Sequence, residues 1–127
     1  MALQEPLVLW FDEIGIADVP SVGGKNASLG EMYCQLNSEG ISVPNGFATT
    51  ATAYRCFLKE TGLDQQIREI LQDLDTTDIS NLQQHGLEVR HAILSAEMPT
   101  SLQREILQAY DKLSEALPGG IDVAVRS

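Results

Sequence analysis

The sequence predicts an α+β fold dominated by helices, with about five helices and two or three short strands. Three observations lead there. From residue 29 to residue 117 most large apolar residues recur at spacings of three and four, which is one face of a helix. Strand-like runs occur only near the start, around residues 41–48 and at the end. The helical segments follow one another between the first and last strands, which argues against a regularly alternating parallel sheet.

Leu7-Val8-Leu9-Trp10-Phe11 is a continuous apolar run bounded by acids and Gly15, as expected of a buried strand. A glycine-lysine turn, Gly23-Gly24-Lys25, then opens a helix with Leu29, Met32, Tyr33 and Leu36 on one face and Gly40 as its stop. Residues 41–48 read as an extended piece, a Pro44-Asn45-Gly46 turn and a short strand. Thr49 or Thr50 caps the next helix, which buries Ala51, Tyr54, Phe57 and Leu58 and ends at Gly62. Leu63, Ile67, Ile70, Leu71 and Leu74 form a third face. Ser80 with Gln83 is a capping-box pattern opening a fourth helix, with Leu82, Val89 and Ile93 inward and Gly86 lowering its propensity. Pro99 suits the first position of a fifth, whose stripe runs Leu102, Ile106, Ala109, Tyr110, Leu113 and Leu117 before Pro118-Gly119-Gly120 ends it. Ile121 to Ser127 alternates with period two, as a strand does, and natural domains seldom stop inside a strand. The chain is therefore expected to be a truncated piece of a longer domain.

Composition narrows the function. A length of 127 residues is one domain or part of one, and a 43% hydrophobic share suits a soluble, largely helical protein. The net charge of −10 argues against nucleic acid, which demands a basic face, and against anionic membranes. The acidity itself requires no reading beyond solubility. The N-terminus has no basic region and its apolar run is too short for a secretory signal; no run has transmembrane length. A cytoplasmic protein is expected. Cys34 and Cys56 read as small buried hydrophobes inside helices, and sequence alone does not say whether they are close enough to bond.

Lys25 is the only cation before Arg55, in a segment with six acids. A lone positive charge in the first turn of a helix opposes the helix dipole, unless an anion lies between it and the free N–H groups. The glycines would allow the close approach such an anion needs. A P-loop is excluded, because Val19 stands where its first glycine belongs and Asn26 where its Ser or Thr belongs. Two readings stay open: a phosphate site, or a plain helix start with a solvated lysine. Arg126 shares a strand face with Asp122 and Ala124, and either grips phosphate in a fork or pairs with Asp122. His85 and His91 lie about 240° apart round a helix and read as surface residues, not zinc ligands. No Ser, His and Asp set suggests nucleophilic catalysis, and Asp12-Glu13 reads as solvated or at a strand end.

Four segments together resemble the phosphoenolpyruvate synthase (pyruvate, water dikinase) family of the pyruvate phosphate dikinase superfamily. They are residues 8–11 (VLWF), 22–32 (VGGKNASLGEM), 42–51 (SVPNGFATTA) and 124–127 (AVRS), the last resembling the start of a family motif A-V-R-S-S-A-T-A-E-D. The resemblance implies that residues 1–127 are the N-terminal portion of an ATP-grasp-type nucleotide-binding domain, cut off at Ser127. It implies a full enzyme that uses ATP, Mg2+ and water to turn pyruvate into phosphoenolpyruvate, releasing AMP and phosphate. The phosphoryl group would travel on a histidine of another domain. Lys25 and Arg126 match the family's ATP-phosphate contacts, with Gly23 and Gly24 as the supporting loop. The acidic magnesium ligands, most of the adenine pocket, the carrier histidine and the pyruvate site all belong to parts absent here. The 127 residues alone are thus expected to catalyse nothing and to bind ATP weakly. The alternatives are pyruvate phosphate dikinase, a relative acting on an antibiotic or a glucan, and a stand-alone helical module that binds partners without catalysis.

Overall fold

A computed structural model of the chain describes residues 5–117, 119–120 and 122–127. Two strands, β1 (Val8–Trp10) and β2 (Phe47–Thr49), and five helices are present among them. The helices are α1 (Val19–Ser38), α2 (Ala51–Glu60), α3 (Leu63–Leu71), α4 (Ile79–Ser95) and α5 (Thr100–Glu115). The chain divides into two compact units, Met1–Tyr54 with Ser101–Ser127, and Arg55–Thr100.

In the first unit β1 and β2 pair antiparallel, with Val8 opposite Thr49, Leu9 opposite Ala48 and Trp10 opposite Phe47. The Trp10 and Phe47 rings meet at 5.5 Å with a 57° tilt, a favourable cross-strand pair. After β1 the chain makes two single 3₁₀ turns, Phe11–Glu13 and Ile16–Asp18. Carboxylates tie this stretch down: Glu13 accepts from Trp10 N, Asp18 from Gly15 N and Glu31 from Ile16 N. The buried cluster is Ile14, Val22, Ala27 and Ala48, with Leu9 and Phe11 against it. Two glycines permit its close packing. A Cβ on Gly30 would lie 2.4 Å from the Ile14 carbonyl oxygen, and one on Gly46 would lie 2.6 Å from the Phe11 ring.

Thr50 is the cap expected for α2. Its hydroxyl accepts from Ala53 N at 3.2 Å and donates to the Pro6 carbonyl at 2.7 Å, so it joins α2 to the approach to β1. Gly40 and Gly62 have φ of 83° and 73°, and close α1 and α2 as read. In the second unit α3 packs on α4, and Leu63 and Ala92 are its buried apolar residues.

Several expectations need correction. A short helical stretch not expected from the sequence, Val19 to Val22, precedes Gly23; the non-helical Gly23 separates it from the helix that the glycine-lysine turn opens as read. The α4 cap is Asp78, which accepts from Ser80 N and Asn81 N, and not Ser80: a carboxylate two residues upstream reaches the first turn and displaces the box. Helix α5 begins at Thr100, just after Pro99, and ends before Leu117. Tyr54, Met32 and Leu82 are exposed, not inward. The small residues Ala53, Ala27, Gly30 and Ala92 take the buried positions, because close element packing leaves room for them and not for large side chains. Residues 122–127 form no strand, since no ladder partner reaches them among the described residues. The readings at Pro118 and Ile121 fall outside the described residues. No disulfide joins Cys34 and Cys56; Cys34 is exposed, with Sγ 3.8 Å from the Asp12 carbonyl.

Candidate functional site

Gly23 adopts φ 82° and ψ 166°, a conformation essentially confined to glycine. It splits α1 and renews a helix start at Gly24-Lys25, where the dipole and first-turn N–H groups favour an anion. The turn is held on both sides. Val22 before it and Ala27 after it are buried in the same cluster, and Asn26 Nδ2 donates 3.0 Å to the Val22 carbonyl across the break. Gly23, Gly24 and Lys25 between these anchors are all exposed.

Lys25 Nζ donates to the Ser127 carbonyl at 3.1 Å. A contact spanning 102 residues thus brings the residue next to Arg126 to the glycine turn. Arg126 and Asp122 are both exposed. Lys25 and Arg126 are therefore on segments that meet, though they are far apart in sequence.

The histidines sit elsewhere. His85 Nδ1 donates to the Asn81 carbonyl at 2.7 Å and the ring is half-buried, so it is less of a surface residue than expected. His91 is exposed, and lines two open clefts of the Arg55–Thr100 unit, the larger of about 600 Å³, together with Gln66 and Ala92. Neither cleft includes Lys25 or Arg126, and neither gathers several charges of one sign around an enclosed volume. The exposed glycine turn carries the more definite chemistry. No helix among the described residues is long and apolar enough to cross a membrane.

Residues 19–127 match the family model for the pyruvate phosphate dikinase AMP/ATP-binding domain. The chain belongs to this family. The matched stretch starts at the first residue of α1 and takes in both Lys25 and Arg126. Phosphoenolpyruvate synthase of Synechocystis sp. is 50% identical over 98% of this dikinase-family chain. The Neisseria meningitidis phosphoenolpyruvate synthase is 48% identical over 98% of it, and the Escherichia coli one 47% over 87%. The chain spans only 16%, 16% and 14% of those three relatives.

The break within α1, the Asn26 clamp and the Lys25 contact with Ser127 were not read from the sequence. The first had a signal: Val19-Pro20 is a helix opening placed before the glycines. The third depends on a distant segment folding back, which no local pattern encodes.

Proposed function

We propose that residues 1–127 are the front of the ATP-binding domain of a phosphoenolpyruvate synthase, a dikinase that converts ATP, pyruvate and water to phosphoenolpyruvate, AMP and phosphate. The observation that carries this reading is the family match over residues 19–127, in a chain about half identical to phosphoenolpyruvate synthases. Lys25 and Arg126 contact the ATP phosphates in this proposal. The exposed Gly23-Gly24 turn lets the backbone approach them. Positive groups on two converging segments neutralise the charge that builds on the transferring phosphoryl group. Magnesium enters with the nucleotide. Among the described residues no three His, Cys, Asp or Glu side chains are grouped to hold a metal ion, so no step is assigned to one here. The carrier histidine and the pyruvate site lie in other parts of the full-length enzyme, which works in the cytoplasm. The 127 residues alone bind ATP weakly and transfer nothing.

The test is Lys25→Ala and Arg126→Ala in the full-length protein, read as ATP-dependent phosphorylation of the carrier histidine. Loss of labelling with unchanged thermal unfolding is expected, because both side chains are exposed. Near-normal labelling in both variants would remove these residues from the site.

A further inference from the structure

Helix α4 carries a largely exposed apolar surface, which only at Leu87 borders the cleft shared with Gln66 and Ile70 of α3. Ile79, Leu82, Leu87 and Leu94 are 71%, 45%, 55% and 84% exposed. At 100° per residue they fall, with Gln83, Gly86, Arg90 and the half-buried Ile93 among them, within about 140° of helix circumference. Four large apolar residues on one side of a helix form a patch that exposed helices ordinarily avoid.

Gly86 is the second, independent observation. It sits near the middle of this stripe and of the helix, where glycine costs stability relative to alanine. Its φ is not positive, so no backbone conformation requires it. A Cβ there would touch nothing but the Arg90 guanidinium at 3.7 Å, so no neighbour among the described residues requires it either. A glycine without either reason leaves a notch, and a notch in an apolar helix face admits the backbone of a second helix.

We propose that the outer face of α4 is a helix-docking surface, notched at Gly86, that receives an apolar helix from the remaining polypeptide of the longer enzyme. The occupant follows from two facts. Relatives about half identical to this chain are roughly six times its length, since it spans 16% of them. A second copy of the chain is disfavoured, because each carries a net charge of −10 and like-charged faces repel. Arg90, at the centre of the stripe, selects a carboxylate on the incoming helix. This inference rests on the dikinase reading above, but it fails separately from it.

The test compares Gly86→Ala and Gly86→Leu in two settings. In the 127-residue chain Gly86→Ala should raise Tm by about 4 °C, because it gains helix propensity in open space. In the full-length protein the same change should lower Tm, and Gly86→Leu should lower it further, because the notch is filled. A Tm rise of similar size in both settings overturns the proposal. So does concentration-dependent self-association of the 127-residue chain that Leu94→Gln abolishes, since the occupant is then a second copy. Histidine phosphorylation by the unmodified full-length protein checks the dikinase reading independently of either result.

Discussion

Gly30 shows how a single missing methyl sets a distance. Helix α1 approaches Ile14 so closely that an alanine Cβ would overlap both the Ile14 carbonyl and its side chain, at 2.4 and 2.7 Å. Gly30→Ala is expected to destabilise the chain by about 1–3 kcal/mol despite its better helix propensity, as overpacking does in a buried site. Urea unfolding of the purified chain measures it. Gly23 differs: nothing lies within 4 Å of its missing Cβ, and the penalty is conformational. Gly23→Ala should cost roughly 1–3 kcal/mol by forcing a residue with a Cβ into a glycine-only region, and it should misplace Lys25 as well. Nucleotide binding of the full-length variant should then fall, while Lys25→Ala lowers binding and leaves stability alone.

At the scale of elements, caps provide the sharpest contrast. Thr50→Ala should cost about 1 kcal/mol or more, since it removes a buried cap and a donor to Pro6 together. Asp78→Ala should cost about 1 kcal/mol of α4 stability, whereas Ser80→Ala should stay within about 0.5 kcal/mol. Circular dichroism melts decide between them, and equal losses would restore the Ser80 box. The turn between α3 and α4 adds a dependence on pH. Hydrogen bonds from the Thr77 side chain and backbone hold the Asp75 carboxyl below its usual 3.8. A depressed carboxyl stabilises the fold above its unfolded pKa, and the contribution is lost as pH falls through the folded value. Asp75→Asn should therefore flatten the acid side of the stability curve below about pH 4, because the variant already lacks at neutral pH the contribution that acid removes from the unsubstituted chain.

All five helices, both strands and the Thr50, Gly40 and Gly62 boundaries were legible, because periodicity and glycine placement are local signals. Which residues go inside was less so. Periodicity finds a face but not how near the next element comes, and here α1 comes near enough to bury Ala27 and Gly30 while leaving Met32 out. The last segment misled for a related reason: Val123 and Val125 alternate like a strand, yet a strand needs a neighbour, and Val125 is 92% exposed. In the candidate site, Lys25 stood out as a misplaced charge, and Arg126 had two open readings, a phosphate fork or a partner for Asp122, between which only the resemblance chose. The contact that brings their segments together required the fold.

On the whole-molecule scale, the two units should differ in stability. The Met1–Tyr54 and Ser101–Ser127 unit holds a buried apolar cluster and the sheet, while Arg55–Thr100 buries only Leu63 and Ala92. Few buried contacts mean low local opening energies. Hydrogen exchange should therefore run faster in α3 and α4 than in the α1 segment after Gly24, and a single two-state transition should not describe unfolding.

The Asn26 bridge to Val22 has a kinetic meaning. With Val22 and Ala27 both embedded, the three exposed residues between them have little freedom to lose. In the proposed site an anion arriving at Lys25 would meet a preorganised cradle, its ordering cost met when the chain folded. Loosening the cradle with Asn26→Ala should then leave the on-rate for ATP nearly unchanged in the full-length protein and shorten the residence time.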